Sequence, residues 1–587
     1  MAKNVRVVNI LKKQILVGTE SFEEVIEGDY FYIDKSLFIK EFLENRGKVT
    51  LITRPRRFGK TLNMSMLKSF FDIGAPSIDD DTPTNPPAST EVCALFDGLK
   101  IMGHTDIVEK HMHKYPVVSI TLKNIEMADF GKSIERLKLL VSAAYRQNRY
   151  LYESDRLDVQ QKEIFYSVLS GKSTGAELEN ALFFLTECLH AYHKKRVIVL
   201  IDEYDTPIDA SVRQGYYDEM ISFMRGFLGG VFKTNDYLEF GVLTGVQRVS
   251  GESLFSSFNN HLVCGIMNEE FSTCFGFTEE EVKAACEMYG VGDKYCDVKT
   301  WYDGYRFGGR DMYNPWSITG YLRSQKIDNY WVNTGSVRVL QDVFYKGDDS
   351  LKNELAGLLT GAPITMSLEE GITYPIRYAN SNTFWTLLLN AGYIKPCNGA
   401  KKVRFSAELV NLEVKDMFSR YAMEWFGEQQ PSITGTIQEF VAHLLAGNAE
   451  GVSRALNEEL LNDPSCHDFK EENSYHMFIY GMLLAVSDNY VVQSNQESGR
   501  GRSDCVIKPM DKSAAAVVVE FKHVKKAPDA AKAPHEAGGL KVEAMEGLAQ
   551  IEEKGYVHSL KREGYGRIFK YGIAFHKKTC EVAMEEA

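Results

Sequence analysis

Two carboxylates and an amine close to the C-terminus have the residue types and spacing of a metal-dependent site for phosphodiester hydrolysis. Asp504 ends the segment GRSD, and Glu520 and Lys522 belong to the apolar run VVVEFK. Alternate residues of a strand face the same side, so Glu520 and Lys522 share one face of the expected strand. Such hydrolysis requires divalent ions held by carboxylates and a cation that serves the attacking water. We expect Asp504 and Glu520 to bind Mg²⁺ or Mn²⁺ and Lys522 to serve the water.

A second candidate site lies near the N-terminus and has the residue types of a phosphate-binding loop. The segment RPRRFGKT at residues 54–61 follows an apolar run and precedes a helical pattern. Such a loop needs a glycine at its closest approach, a lysine for the β and γ phosphates and a hydroxyl for Mg²⁺. Gly59, Lys60 and Thr61 fill these roles. Arg54 stands where the first glycine is usual, so the match to the pattern is partial.

An acidic pair after another apolar run supplies the second half of a nucleotide site. The run VIVLI at residues 197–201 leads directly into Asp202 and Glu203. An aspartate at the end of a buried strand can hold the Mg²⁺ shell, and the adjacent glutamate can polarise the attacking water. The alternative for this pair is a helix N-cap after a strand. With both halves present, the sequence predicts ATP binding, with Mg²⁺ held by Thr61 and Asp202.

Four apolar runs must position the nucleotide site. They cover residues 49–53, 116–122, 197–201 and 238–244 and alternate with helical patterns such as residues 131–193. Continuous β-branched and leucine runs are typical of parallel strands buried on both faces. Strands that alternate with helices predict an α/β fold with a parallel sheet.

The pattern changes beyond this first domain. From about residue 278, short helices alternate with aromatic-rich turns, which indicates a lid-like subdomain. Residues 350–465 are largely helical in pattern and carry no catalytic motif, so we expect them mainly to connect the two functional ends. The expected boundaries are 1–277 for the nucleotide-binding domain, 278–349 for the lid, 350–435 for a helical connector and 436–587 for an α/β domain with the metal site.

Length and composition describe a folded, multidomain protein. The 587 residues exceed one hydrophobic core and predict about three to four domains. An aromatic content of 12% argues against wholesale disorder. Because the net charge is −13, a nucleic acid would have to be bound by a local basic patch. The local basic clusters are Arg54, Arg56 and Arg57; Lys522, Lys525 and Lys526; and Lys561, Arg562, Arg567 and Lys570.

The cysteines and the N-terminus suggest a cytoplasmic protein. The ten cysteines include no CxxC pair, so we expect reduced thiols and no zinc knuckle. The N-terminal residues lack the apolar core of a signal peptide, and no run approaches about 18 apolar residues. We therefore expect a cytoplasmic location and no association with a membrane.

The chain resembles a known family, the AAA-ATPase-like proteins that carry a C-terminal PD-(D/E)XK nuclease domain. The resemblance spans most of the chain, and the RPRRFGK form of the loop is the family's own variant. It implies an AAA-like P-loop ATPase domain followed by a restriction-endonuclease-like domain. The segments that carry it are YIDKS at 32–36, RPRRFGKT at 54–61, IDEYDTP at 201–207, TGV at 244–246, WYDGY at 301–305 and YNPWS at 313–317.

The resemblance also implies individual roles. Thr244 would be a polar sensor and Arg248 would contact the γ-phosphate, with a structural salt bridge as the alternative for Arg248. In the nuclease half, an acid on an earlier helix would be Glu472, with His476 one turn later on the same face and Glu471 as the alternative.

Two further residues resemble the helix that supports such a nuclease site and touches nucleic acid, namely Gln550 and Tyr556. The expected catalytic residues are therefore Glu203, Glu472, Asp504, Glu520, Lys522 and Gln550. The expected nucleotide-binding residues are Arg56, Arg57, Phe58, Gly59, Lys60, Thr61, Asp202, Thr244 and Arg248.

Three functions fit these patterns. The leading hypothesis is an ATP-regulated, Mg²⁺-dependent nuclease, with DNA favoured over RNA, in defence or mobile-element biology. The second is a nucleotide-dependent switch or scaffold whose C-terminal domain binds nucleic acid or a partner without cutting it. The third is a remodelling motor in which only the ATPase half matters. Assembly into a homo-oligomer is left open by the sequence.

Overall fold

The computed structural model divides into two compact units. The first contains Met1–Gly335, Ser367–Lys395 and Val410–Leu412, and the second contains Ser336–Met366, Pro396–Leu409 and Glu413–Ala587. The residues that the structure describes are 12–75, 94–249, 261–331, 349–359, 361–369, 371–372, 381–397, 404–418, 433–462, 479, 490–498, 501–509, 511–524, 536–576 and 578–587.

The strands and helices are numbered in chain order. The strands are β1 (Val49–Thr53), β2 (Val117–Thr121), β3 (Val197–Asp202), β4 (Leu238–Gly245), β5 (His261–Cys264), β6 (Tyr305–Phe307), β7 (Arg310–Met312), β8 (Ile364–Ser367), β9 (Ile394–Pro396), β10 (Arg404–Leu409), β11 (Tyr490–Ser498), β12 (Gly501–Pro509), β13 (Ala516–His523), β14 (Ile568–His576) and β15 (Thr579–Glu586). The helices are α1 (Phe22–Glu27), α2 (Leu37–Asn45), α3 (Lys60–Phe71), α4 (Thr105–His111), α5 (Phe130–Gln147), α6 (Tyr150–Glu153), α7 (Val159–Leu169), α8 (Gly175–His193), α9 (Thr206–Gln214), α10 (Tyr217–Phe232), α11 (Glu279–Met288), α12 (Tyr295–Tyr302), α13 (Pro315–Ser324), α14 (Asp349–Leu359), α15 (Ser381–Ala391), α16 (Ile433–Leu445), α17 (Ala449–Asn462), α18 (Glu536–Lys554) and α19 (Val557–Glu563).

The first unit is built on a parallel sheet of order β2–β3–β4–β1–β5. Every residue of β1 and β3 is buried, as expected for strands covered on both faces. The core includes Leu137, Leu182 and Phe227 from α5, α8 and α10. Because β1, β3 and β4 are adjacent and parallel, their C-terminal ends lie at one edge, which is where open α/β sheets bind ligands.

Aromatic side chains pack the segment after β5 onto the loop that follows β1. Phe58 lies 4.8 Å from Tyr305 and 5.1 Å from Phe307, as measured between ring centroids. The helix α13 begins with Asn314 as its N-cap and with a proline at the first helical position, where the missing N–H costs nothing. The expected lid segment therefore contacts the candidate phosphate loop, while its role as a lid stays a prediction.

The second unit contains a mixed sheet of order β11–β12–β13–β14–β15, in which only β13 and β14 pair in parallel. Side chains of β13 alternate between its two faces. Val517, Val519 and Phe521 join a core cluster with residues of α16 and α17. Ala516 and Val518 join a cluster with residues of α18 and α19. By the same alternation, Glu520 and Lys522 lie on the face covered by α18.

The expected fold class is confirmed, since a parallel α/β sheet precedes a C-terminal mixed α/β domain. The expectation of a largely helical region 350–465 is incomplete, because β8, β9 and β10 lie within it. Short apolar runs are compatible with either helix or strand, and tertiary pairing decides between them. The four domain boundaries stay a prediction. Within the described residues, no helix is both long and apolar enough to cross a membrane.

Candidate nucleotide and nuclease sites

The phosphate loop positions Lys60 at the start of α3. Gly59 has φ 80° and directly precedes that helix, a left-handed conformation that glycine adopts without steric cost. The Lys60 side chain is buried, and its Nζ donates to the carbonyl oxygens of Arg54 at 3.0 Å and Pro55 at 2.9 Å. Burial lowers the pKa of this ammonium, and nearby carboxylates, foremost Glu203, oppose that effect. The loop thus holds a desolvated cation among backbone carbonyls.

Three oxygen-bearing side chains meet beside this lysine. The Thr61 hydroxyl donates to Asp202 Oδ2 at 2.6 Å, and the Thr244 hydroxyl donates to the other oxygen, Asp202 Oδ1. Asp202 ends β3, Thr244 lies near the end of β4 and Thr61 lies in the first turn of α3. Carboxylate and hydroxyl oxygens are the ligands that Mg²⁺ prefers. The residues therefore fit the expected Mg²⁺ role, with Asp202 and Thr61 as the candidate ligands.

Glu203 follows Asp202 directly and has an uncommon backbone conformation. Its φ is 53°, a left-handed value that costs a non-glycine residue about 1–2 kcal/mol. Its Oε2 accepts a hydrogen bond from the Thr206 hydroxyl at 3.4 Å. This turn puts a carboxylate immediately after the Mg²⁺ candidate, as a water-polarising group requires.

Arg54, the residue that replaces the usual glycine, is a structural support of the loop. Its side chain is 0% exposed, so it cannot contribute to the expected surface basic patch. Its guanidinium donates to four carbonyl oxygens, those of Thr53, Cys264, Glu270 and Phe271, at 2.8–3.3 Å. It also lies over the rings of two phenylalanines, at 5.2 and 5.4 Å from their centroids. Burial lowers the pKa of this guanidinium to about 10.

Restoring the usual glycine should damage the protein. We expect Arg54→Gly to reduce stability by on the order of 3–5 kcal/mol, because it opens a cavity and leaves four carbonyls without their donor. Urea denaturation and nucleotide affinity would measure the effect. Arg156→Gly, the same change at an exposed turn, should leave both nearly unchanged. A fully stable Arg54→Gly protein would show that the guanidinium is dispensable.

The other loop residues differ in their access to a ligand. Arg56 is exposed, whereas the Arg57 guanidinium lies 4.2 Å from the centroid of the Trp316 ring. Phe58 is 1% exposed, so only its main chain is available to a nucleotide. Arg248 lies four residues beyond Thr244, and its carbonyl oxygen accepts a hydrogen bond from an amide at residue 372.

One residue of this site was missed by the sequence reasoning. Asp205 is buried, and its Oδ2 accepts from the backbone N–H groups of Val246 at 2.8 Å and Gln247 at 2.7 Å. Burial raises the pKa of this carboxyl to about 6, and the two hydrogen bonds oppose the rise. Asp205 therefore ties the turn after β3 to the segment after β4. Its position in the IDEYDTP run was the signal available in the sequence.

In the second unit, Asp504 and Glu520 lie on neighbouring antiparallel strands. The ladder between β12 and β13 ends at the pair Cys505 and Val519, and Asp504 and Glu520 are the next residues of the two strands. Because side chains alternate along a strand, these two residues lie on the same side of the sheet. Asp504 Oδ2 also accepts from the Phe521 N–H at 2.8 Å. Asp504 is the fourth residue of β12.

The side chain of Gln550 on α18 contacts both Lys522 and Glu520. Its side-chain oxygen accepts from Lys522 Nζ, and its amide donates to Glu520 Oε1. Lys522 Nζ and Glu520 Oε1 are 3.8 Å apart. Tyr556 is 2% exposed, and this burial raises the pKa of its hydroxyl. A side-chain hydrogen bond with Gln550 opposes the rise. The structure thus brings together Glu520, Lys522 and Gln550 and puts Tyr556 behind them, where it is too buried to offer a surface to nucleic acid.

Close contact at a glycine determines the distance between α18 and this sheet. Gly572 is the register partner of Glu520, and a Cβ atom there would overlap the Ala544 carbonyl oxygen of α18. A Cβ on Gly547 would lie 3.2 Å from the Gly572 Cα. Only residues without side chains allow this close approach, which brings Gln550 within reach of the strand.

We therefore expect Gly572→Ala to displace α18. The overlap with backbone should cost about 1–3 kcal/mol and separate Gln550 from Glu520 and Lys522. A lower urea midpoint together with weaker metal-dependent cleavage would be measured on the full chain. Gly566→Ala is the matched control, because its Cβ would meet no atom within 4 Å. Equal behaviour of the two variants would contradict this account of the helix position.

Several expected residues cannot be compared with the structure. Glu472, its alternative Glu471, and His476 lie outside the described residues, as do Lys525 and Lys526. Among the residues that are described, no cluster of three or more His, Cys, Asp or Glu side chains could hold a metal ion. Of the acids expected in the nuclease half, the structure describes Asp504 and Glu520.

One of the four residues of the C-terminal basic cluster, Lys570, is buried. Lys570 is 4% exposed and forms ion pairs with Glu552 and Glu585. Arg567 pairs with Glu586 at 2.9 Å. Lys570 therefore contributes little to a surface that could attract phosphates, whereas Arg567, Lys561 and Arg562 are exposed.

Two family models match this chain, one in its N-terminal part and one in its C-terminal part. Residues 16–255 match a family model described as a predicted AAA-ATPase, and residues 470–585 match a model of the PD-(D/E)XK nuclease superfamily. A protein of Azotobacter chroococcum mcd 1, described as an uncharacterized protein in the vnfD 5′ region, is 24% identical over 590 residues. That alignment covers 97% of this chain and 98% of the relative. The N-terminal part of the chain is therefore similar to the predicted AAA-ATPase family, and its C-terminal part is similar to the PD-(D/E)XK nuclease superfamily.

Proposed function

We propose that this protein binds and hydrolyses ATP and that nucleotide state regulates a Mg²⁺-dependent nuclease centre in its C-terminal domain. The substrate is nucleic acid, with DNA favoured over RNA, and the biological setting is defence or mobile-element biology. The observation that carries the proposal is the presence of two chemically complementary groups of side chains, one around Asp202 and one around Glu520.

The nucleotide half is supported by the geometry at the edge of the parallel sheet. Lys60 is buried next to the turn where a phosphate chain would lie on the N-terminus of α3. Thr61 and Asp202 offer oxygens for Mg²⁺, and Glu203 is the group that would orient and deprotonate the water. Arg56 is the exposed cation of the loop and would meet the outer phosphate oxygens.

The nuclease half is supported by the pairing of β12 with β13. Asp504 and Glu520 lie next to the pair Cys505 and Val519 on these strands, and a carboxylate can accept from Gln550 while its remaining lone pairs bind an ion. A bound Mg²⁺ would neutralise phosphate charge and make its water more acidic. Lys522 would hold that water in line with the phosphorus, and Gln550 would fix the lysine.

A second candidate function is nucleotide-dependent binding of nucleic acid without cleavage. The observation that favours it is the set of contacts among Lys522, Gln550 and Glu520. In these contacts the Lys522 ammonium and the Glu520 carboxylate interact with each other and with Gln550. A centre that does not release Lys522 to a water would bind phosphates and leave them intact.

One experiment separates these functions. The full chain would be incubated with plasmid, linear duplex, single-stranded DNA and RNA, with Mg²⁺ or Mn²⁺, and with ATP, ADP or neither. Cleavage that requires the metal and responds to ATP supports the regulated nuclease, and retention on DNA without products supports the binding function. A Glu203→Gln arm, which keeps ATP binding but loses water activation, would show whether turnover or binding is the regulating event.

A further inference from the structure

We propose that Gln247 couples the nucleotide site to helix α15, so that the state of the bound nucleotide is reported to that helix. The inference deepens the proposed function and depends on ATP binding at Lys60. Gln247 lies three residues after Thr244, in the segment that leaves the end of β4. Its side chain is hydrogen-bonded to α15.

The chain of contacts begins at the turn that holds Glu203. The Tyr204 N–H donates to the Thr244 carbonyl at 3.0 Å, and the Tyr204 hydroxyl donates to the Gln247 carbonyl at 2.8 Å. The same hydroxyl accepts from the Val249 N–H at 3.0 Å. Asp205 adds its two bonds to the amides of Val246 and Gln247. A shift of the turn therefore moves the segment 246–249 with it.

The second step leads from this segment to the helix. Gln247 Nε2 donates to the Leu387 carbonyl at 3.1 Å, and Gln247 Oε1 accepts from Asn390 Nδ2 at 3.0 Å. An amide that uses both its donor and its acceptor on one helix fixes that helix in orientation as well as distance. The segment has a further attachment, because Val249 forms a parallel bridge with Ile372.

The close packing between the end of β4 and the turn after β3 favours discrete positions of these segments over gradual adjustment. A Cβ on Gly245 would lie 2.6 Å from Asp205 Oδ1 and 2.8 Å from the Tyr204 ring. The turn and the end of β4 thus have no room to move independently, and packed elements of this kind switch between arrangements. Beyond α15, the chain continues through β9 into the second unit at Pro396, which gives the signal a covalent route.

The test compares nucleotide binding with hydrogen exchange of α15 in the full chain. Calorimetry with a non-hydrolysable ATP analogue and Mg²⁺ would measure affinity, and exchange of the α15 amides would be measured with and without the analogue. In the wild type, bound nucleotide should change α15 exchange by roughly fivefold or more. In Gln247→Ala, the Kd should stay within about tenfold of wild type while the exchange response is lost.

Two variants serve as matched comparisons on the same helix. Asn390→Ala removes one of the two bonds to Gln247 and should reduce the response in part. Asn382→Ala removes a bond to the Ser367 amide at the other end of α15 and should keep the full response. A merely structural role for Gln247 would change exchange equally with and without nucleotide.

The outcomes distinguish the two proposals. A wild-type protein that binds the analogue while α15 exchange stays constant overturns the coupling and leaves the ATP proposal standing. A Gln247→Ala protein with a wild-type response also overturns it. Absence of nucleotide binding in the wild type overturns the proposed function itself, and with it the coupling.

Discussion

Substituting Lys60 should abolish useful nucleotide binding. Lys60→Ala removes the charge expected to meet the β and γ phosphates, and charged hydrogen bonds of this kind contribute about 1.5–3 kcal/mol each. Loss of two such contacts would weaken affinity on the order of a hundredfold or more. Calorimetric titration with ATP and Mg²⁺ would measure it.

The control must separate charge from folding, because Lys60 Nζ also satisfies the carbonyls of Arg54 and Pro55. Lys60→Gln keeps a donor for these carbonyls and removes the charge, so it should fold and still fail to bind. Lys68→Ala makes the same change as Lys60→Ala in the last turn of the same helix and should bind normally. Unchanged ATP affinity in a folded Lys60→Gln protein would mean that the loop no longer serves a nucleotide.

The nucleotide half shows what a sequence can reveal about a site. Gly59, Lys60 and Thr61 are adjacent in the chain, and Asp202 follows a run typical of a buried strand, so local pattern is enough to select them as candidates. The role of Arg54 could not be deduced in this way. Its four carbonyl partners include residues from 264 to 271, which only the folded sheet brings near β1.

The position of Asp205 and Gln247 has the same explanation. Their contact depends on the parallel pairing of β3 with β4, which fixes the relative height of the two strand ends. Sequence spacing within one strand does not contain that register. The link from Gln247 to α15 joins residues far apart in the chain and was likewise inaccessible to motif reasoning.

In the nuclease half, strand alternation was enough to predict that Glu520 and Lys522 share a face, and the structure has them on the side of α18. Alternation could not give the approach of that helix. Gly572 and Gly547 permit this close approach. A glycine within a strand or helix pattern has several structural explanations until its neighbours in the fold are known.

Cleavage by the C-terminal domain should be lost when any of its three central residues is changed. Asp504→Asn and Glu520→Gln remove metal-binding charge, and Lys522→Met removes the group that serves the water. We expect a fall in rate of about 10²–10⁴-fold for each. These near-isosteric changes are chosen to preserve the fold. In Asp504→Asn, for example, the side-chain amide oxygen can still accept from the Phe521 N–H and keep the two strands tied together.

The three variants should differ in their affinity for the metal ion. Titration with Mn²⁺ should show weaker binding for Asp504→Asn and Glu520→Gln, while Lys522→Met should bind the ion and fail to cut, because only the water is affected. Glu553→Gln, an exposed change on α18, should keep both properties. EDTA should stop the wild-type reaction, because the ion supplies both the charge that meets the phosphate and the acidity of the water. If cleavage continues at the wild-type rate in EDTA or in Asp504→Asn, the activity comes from another site or from a contaminant.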